Sequence, residues 1–365
     1  MVRIPSSILV GNRRYTGSMD EVSSLQGLGW QAFFQQQLSL DEWHDVIPAR
    51  IVEQFRTELI VATEVGTLTL PILPSMPALV VGDWLLLDQQ KQFIRLLDRK
   101  TCFVRKAAGT QVKKQLIAAN VDTALIVTSM NDDFNLNRLE RFLSLVNEAG
   151  AEPLVLLSKA DLSNAPEDFI EQAQQLDPLL MVEAVNCLDL ASLAKLSPWQ
   201  KKGATVAVLG SSGVGKSTLI NTLLGEEQQR TSSIREDDAK GRHTTTRRSL
   251  ISLNNGGLIL DTPGMREIQL ADNKEGIAKT FADIEALAEH CKFSDCHHQT
   301  EPGCAVQKAV ETGELEQRRV GNYLKLLREE ASNSASLAEK RASDKALGKF
   351  YKTTLAQSQE LKGRR

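Results

Sequence analysis

The spacing of apolar and polar positions changes character three times along the chain. Between residues 18 and 45 the apolar residues Val22, Leu25, Leu28, Trp30, Phe33, Phe34 and Leu38 fall at mostly helical intervals, interrupted by Gly27 and Gly29. This predicts a short, loosely attached leader over 1–45. From residue 46 to 105 the runs become short and β-rich, at 49–53, 58–63, 67–70, 83–87 and 93–97, divided by Gly66, Pro71, Pro74, Pro77 and Gly82. About five strands in roughly sixty residues predict a small β-barrel; an OB-fold is the first candidate, and an SH3-like barrel fits the pattern equally well. From 106 to 270 strands and helices alternate. A buried strand at 122–128 is followed by a helix over 136–148 (Leu139, Phe142, Leu143, Leu145, Val146) that stops at Gly150, then by a strand at 153–157. A helix near 168–176 and strands at 181–186 and 205–209 complete the pattern of an α/β domain, a parallel sheet covered by helices. Beyond 271 only helix-forming stretches remain, around a Cys/His cluster and a charged tail, so 271–365 is expected to be an α-helical zinc-binding domain.

At 365 residues the chain is too long for one ordinary core, in keeping with a multidomain reading. It has 42% hydrophobic and 24% charged residues and no stretch near the ~20 apolar residues of a membrane span. The first ten residues carry one Arg and no small-residue cleavage site. We therefore expect a cytoplasmic protein with no membrane association; nothing suggests an obligate dimer, and a monomer is expected. Five cysteines are too few for a disulfide framework, and the net charge of -3 confines any nucleic-acid contact to local patches.

The chemistry begins with Gly210, Ser211, Ser212, Gly213, Val214, Gly215, Lys216, Ser217 and Thr218, a phosphate-loop pattern between an apolar strand and a helix. Its glycines let backbone N–H groups turn toward phosphates at a helix N-terminus. Lys216 is placed to neutralise the β/γ-phosphates and Ser217 to ligate Mg²⁺. Downstream, Asp261 ends an apolar strand, where its carboxylate can hold the Mg²⁺ shell, and Gly264 completes an Asp-x-x-Gly element near the γ-phosphate. The polar stretch 230–248 contains Thr244, Thr245 and Thr246, any one of which could reach Mg²⁺, as in a first switch loop.

Guanine recognition is expected from Ser158, Lys159, Ala160 and Asp161. The Asp161 carboxylate can accept from guanine N1–H and the 2-amino group, a donor pair adenine lacks, while the Lys159 stem lies along the base. Ser158 stands where Asn or Thr is usual, and Asn186-Cys187 matches poorly the Ser-Ala-Lys-like loop that supports the base in GTPases. Asp161 precedes Gly210 by nearly fifty residues, the reverse of the ordinary order. The motifs are circularly permuted.

Cys291, Cys296, His298 and Cys304 form C-x4-C-x-H-x5-C, three thiolates and one imidazole suited to one tetrahedral, structural Zn²⁺; His297 could stand in for His298.

Barrel, permuted motifs and this Cys/His segment together resemble the ribosome small subunit-dependent GTPase A family of bacteria, over nearly the whole chain. The matching elements are 158–161, 210–218, the 241–246 segment Gly-Arg-His-Thr-Thr-Thr, 261–264 and the four zinc ligands. The resemblance implies a GTPase that binds GTP/GDP, acts late in maturation of the 30S ribosomal subunit, and contacts the subunit through its OB-fold and zinc domains. It also implies slow hydrolysis until the subunit stimulates it. Two basic clusters are candidate rRNA contacts: Arg95, Arg99, Lys100, Arg105, Lys106, Lys113 and Lys114 against Asp98 alone, and eight basic residues in 340–365 against Asp344 and Glu360. A solvated face or a tail without a partner accounts for each equally well. Where many GTPases carry a water-orienting Gln after Asp-x-x-Gly, this chain has Met265, so intrinsic hydrolysis is expected to be slow and His243 is the candidate for placing the water. The competing reading is an RNA-binding module with incidental hydrolysis; an ATP-dependent remodeller conflicts with Asp161.

Overall fold

The leader does not hang free. The computed structural model describes residues 24–106, 114–225, 248–261 and 273–334, and within it residues 24–45 pack onto the barrel. They form two short helices, α1 (Ala32–Gln35) and α2 (Leu40–Asp45), the second capped by Ser39, whose hydroxyl accepts from the Glu42 N–H. Leu28 and Phe34 are buried, and the Trp30 ring meets Trp84 edge-on at 4.8 Å. A few large residues make the attachment, without the regular stripe that a periodicity reading detects.

The five expected barrel strands are β1 (Ile47–Gln54), β2 (Glu58–Thr63), β3 (Gly66–Pro71), β4 (Trp84–Leu87) and β5 (Phe93–Leu96). All their pairings are antiparallel, in the order β3-β2-β1-β4-β5. Strand β1 sits at the centre and β3 is not a neighbour of β4, so the chain crosses over as in the partly open Greek-key OB arrangement. A hairpin that the apolar pattern did not predict follows, β6 (Cys102–Lys106) with β7 (Lys114–Ala119).

The α/β part then runs β8 (Thr123–Ser129), α3 (Leu136–Ala149), β9 (Glu152–Ser158), α4 (Pro166–Gln174), β10 (Met181–Ala184), α5 (Leu190–Leu193), β11 (Thr205–Gly210), α6 (Lys216–Leu224), β12 (Arg248–Ser252) and β13 (Leu258–Asp261). Strands β10, β9, β8, β11 and β13 lie side by side and parallel. Alternation along each strand divides the core between two faces. Ala124, Ile126, Val155, Leu157, Ala207 and Leu209 belong to the core that includes Leu139, Leu143 and Val146 of α3, while Leu125, Val127, Leu154, Leu156, Val206 and Val208 belong to the core that includes Leu219, Ile220 and Leu224 of α6. Helix α3 is delimited by the Asn135 side chain, which accepts from the Arg138 N–H, and by left-handed Gly150. Antiparallel β12 joins β13 to the barrel, because its first residues pair with β1 (Gln54 with Arg248, Glu53 with Ser249). One sheet thus crosses from barrel to α/β domain.

The C-terminal part consists of α7 (Lys274–Thr280), α8 (Ala282–Ala288), α9 (Ala305–Glu311) and α10 (Gln317–Ser334). It is clamped to α3 by polar contacts. The fully buried Glu140 carboxylate receives Arg319 at 2.9 Å, Arg318 at 3.1 Å and Asn322 at 2.5 Å, and Arg319 also forks onto Asp283 at 2.8 Å. Gly276 lets α7 touch α3, since a Cβ there would lie 2.1 Å from the Ser144 carbonyl oxygen. Among the described residues no helix is long and apolar enough to cross a membrane.

Candidate functional site

Three loops converge beyond the C-terminal ends of β8, β9 and β11. In the sheet order the chain proceeds from β8 to β9 and β10 on one side and places β11 on the other, so the crevice lies at a topological switch point, where open α/β sheets bind ligands.

The phosphate loop leaves β11 at Gly210 (φ 142°), where a Cβ would lie 2.2 Å from the Val127 carbonyl oxygen, and enters α6 through left-handed Gly213 and Gly215. No side chain but glycine's fits at Gly210. Lys216, the first residue of α6, is buried, and its ammonium donates to the Gly210 carbonyl at 2.8 Å and to that of Ser211. A cation held over the loop by these carbonyls can exchange them for phosphate oxygens at little geometric cost. Ser211, Ser212 and Val214 form the loop itself, and Ser217 and Thr218 the first turn of α6.

The guanine motif ends β9. Ser158 is fully buried; its hydroxyl donates to the Val214 carbonyl at 2.6 Å and lies 3.2 Å from that of Thr128. The replacement of Asn by Ser therefore keeps a direct tie between the base loop and the phosphate loop. Lys159 adopts a left-handed conformation (φ 59°), a strained arrangement for a residue with a Cβ. It starts the 3-10 turn Ala160–Leu162 that carries Asp161. The neighbouring loop closes the crevice: Ala160 N–H donates to the Val185 carbonyl at 3.3 Å. Burial, with the Asp161 carboxylate adding to it, pushes the Cys187 thiol up to about 11, so it stays protonated.

Asp261 ends β13, whose Leu260 pairs with Ala207 of β11, so its backbone lies beside the strand that delivers the phosphate loop. His243, Thr244, Thr245, Thr246, Gly264 and Met265 lie outside the described residues.

The basic cluster near the barrel's exit is divided by the structure. Arg95 pairs with Glu42 at 3.0 Å, Arg99 with buried Asp83 at 2.6 Å, and Lys100 with Asp122 at 3.3 Å and Gln31 at 2.9 Å. Those three charges are spent inside the molecule. Among the described residues Arg105 bonds only neutral Gln115, and Lys106 and Lys114 are paired in register on the hairpin; Lys113 and residues 340–365 lie outside the described residues. Sequence reasoning missed the acids because they come from distant segments.

In the Cys/His segment the donor atoms of Cys291, Cys296, His298 and Cys304 all lie within 4.8 Å of one another. Cys291 and Cys304 sulfurs are 3.8 Å apart, and His298 Nδ1 is 3.6 and 3.5 Å from them. Tetrahedral zinc, with bonds of roughly 2.3 Å to sulfur and 2.0 Å to nitrogen, requires separations of about 3.8 and 3.5 Å. The set fits zinc, with His298 and not His297 as the fourth donor. Left-handed His298 (φ 55°) turns inward, its carbonyl held by Gln307 Nε2 at 2.5 Å. Glu301 accepts from the N–H groups of His297, Gln299 and Thr300, which hold its carboxyl down at about 2.

Residues 96–271 match the family model described as RsgA GTPase. The chain is 56% identical over 332 residues to the small ribosomal subunit biogenesis GTPase RsgA 2 of Vibrio parahaemolyticus, covering 91% of this chain and 93% of that one. It is 44% identical to the small ribosomal subunit biogenesis GTPase RsgA of Xanthomonas axonopodis pv. citri, covering 86% and 87%. Among solved structures it resembles YloQ, described as a circularly permuted GTPase, at 25% identity and TM-score 0.59, covering 82% of this chain and 99% of that one. YjeQ from Thermotoga maritima has the same fold at 22% identity and TM-score 0.58, covering 78% and 98%.

Proposed function

Because the chain belongs to the RsgA GTPase family, we propose that this GTPase acts in late maturation of the small ribosomal subunit, binding its rRNA as a monomer in the cytoplasm and hydrolysing GTP when the subunit stimulates it. The observation that carries the reading is the convergence of the guanine and phosphate loops, tied by the Ser158–Val214 bond, at the switch point of the sheet.

In this reading Asp161 accepts from guanine N1–H and the 2-amino group, Lys159 covers the base, and the N–H groups of 210–218 surround the phosphates. Lys216 moves from the Gly210 and Ser211 carbonyls to the β/γ-phosphate oxygens. Ser217 and Asp261 would hold Mg²⁺, which would neutralise charge developing on the phosphates. Gly264 offers its N–H to the γ-phosphate. Met265 brings no hydrogen-bonding group to the water, and His243 supplies one from the 241–246 segment. Zinc held by Cys291, Cys296, His298 and Cys304 is structural, because four protein donors complete its shell. Arg105, which has no acidic partner among the described residues, together with Lys106, Lys113 and Lys114 offers charge to rRNA phosphates.

The test is GTP hydrolysis by the full chain with and without 30S subunits, with 50S subunits and ATP as controls. Large stimulation by 30S alone is expected. Equal slow rates would instead favour an RNA-binding protein with incidental hydrolysis. His243→Ala is expected to lose the stimulation; a fully stimulated variant would remove His243 from the mechanism.

A further inference from the structure

The loop after β10 departs from the sequence usual at a base-supporting position, yet it is firmly held. Asn186 and Asp189 close a turn through the Asp189 N–H and the Asn186 carbonyl at 3.1 Å. The Asn186 N–H donates to Ser192 Oγ, and the Leu188 N–H to Asn186 Oδ1, both at 2.9 Å. A fourth tie comes from the phosphate-loop helix: Thr222 Oγ1, on α6, donates to the Cys187 carbonyl at 2.7 Å. Cys187 itself is buried, its sulfur 3.8 Å from where a Cβ on Gly215 would stand. With the carbonyl on one side of Cys187 and the N–H of Leu188 both engaged, the Cys187 N–H is the donor left over. It has no hydrogen-bond partner among the described residues.

An amide of a buried residue without an acceptor among the described residues is uncommon, and this one lies in the loop bonded to the guanine motif through Ala160 and Val185. Asp161 accounts for the donor edge of guanine. The O6 carbonyl beside it needs a donor. We propose that Thr222 is a positioning residue for base recognition: by holding the Cys187 carbonyl, its hydroxyl aims the Cys187 N–H at guanine O6. The inference rests on the guanine reading of Asp161. It makes α6 serve both ends of the nucleotide, phosphates at Lys216 and base at Thr222, and together with the Ser158–Val214 bond it fixes the distance between them.

The side of α6 near Thr222 borders a cavity of about 230 Å³ that Leu190, Leu193, Leu223 and Leu253 also line, so an isosteric methyl in place of the hydroxyl has room. The experiment is competition of unlabelled GTP, 6-thio-GTP and ITP against a fluorescent GDP on the full chain. Sulfur at position 6 weakens acceptance there while keeping the N1–H and 2-amino donors, whereas ITP keeps O6 and lacks the 2-amino group read by Asp161. The native chain is expected to prefer GTP over both analogues. Thr222→Val is expected to bind GTP about fivefold more weakly, to lose the preference over 6-thio-GTP and to keep the preference over ITP, with Thr222→Ser restoring the native pattern. Unchanged discrimination against 6-thio-GTP in Thr222→Val, an equal loss for all three nucleotides, or no such discrimination in the native chain overturns the proposal. A native chain that discriminates against 6-thio-GTP but not ITP overturns the reading of Asp161 instead, and with it the premise used here.

Discussion

The sheet that carries the phosphate loop and the helical segment that carries the Cys/His cluster are held by different forces. Strands β8, β9 and β11 are buried along nearly their whole length, with apolar side chains on both faces, so the loops at their ends are positioned by a packed core. Residues 291–304 contain no helix or strand, and the few buried apolar residues of α7 to α10 are supplemented by a buried acid and two arginines. A core tolerates the loss of a single contact. A segment held by four donor atoms and one carboxylate does not.

The largest effect is expected from the metal. Cys304→Ser should abolish binding of one zinc per chain and the hydrogen-exchange protection of 291–304, because a structural site of this kind contributes roughly 10 kcal/mol or more of binding free energy. Amides of β8, β9 and β11 should keep theirs. Equal loss of protection in those strands would show that the two regions are not separate in stability. Next comes Glu140→Ala, which leaves buried Arg319 without one partner and should cost about 3–5 kcal/mol in urea unfolding. Glu42→Ala, which breaks a half-exposed pair with Arg95, is expected to cost about 1 kcal/mol or less. Gly276→Ala should destabilise by roughly 1–3 kcal/mol, because α7 must back away from Ser144. Gly321→Ala, on α10 with nothing within 4 Å of the new methyl, should raise stability by about 1 kcal/mol. Opposite signs for the two glycines would sharpen the distinction between the face of this segment that meets α3 and the rest of it.

The loops that meet at the crevice were legible in the sequence because each is local. Gly210 to Thr218 and Ser158 to Asp161 are each contiguous, and each follows a strand whose apolar run announces it. The four Cys/His donors that the structure brings together were legible for the same reason. What could not be read were partnerships between distant segments. Arg95, Arg99 and Lys100 look like a free basic surface until Glu42, Asp83 and Asp122 arrive from elsewhere in the fold. Glu140 sits on α3 with the spacing of an ordinary charged residue, and only α10 makes it interior. Thr222 carries no motif at all, and the pairing of β1 with β12 joins residues nearly two hundred positions apart. The leader was misread because Trp30 and Phe34 attach it through a few large rings.

That leader reaches further than the barrel. Gly29 and Gly203 approach so closely that a Cβ on Gly203 would lie 2.0 Å from the Gln26 carbonyl oxygen, and buried Arg50 reaches across to the carbonyls of Leu28 and Asn120 at 2.6 and 3.0 Å. Gln31 bonds Asp122, which in turn receives the Thr205 N–H at the start of the phosphate-loop strand. Anyone dissecting the gene should therefore cut before residue 24. A fragment begun at the barrel would strip the cover from a buried guanidinium, and one begun at the α/β part would also uncouple β12 from its outer neighbour, so the smallest piece expected to behave in solution as it does in the whole contains all three.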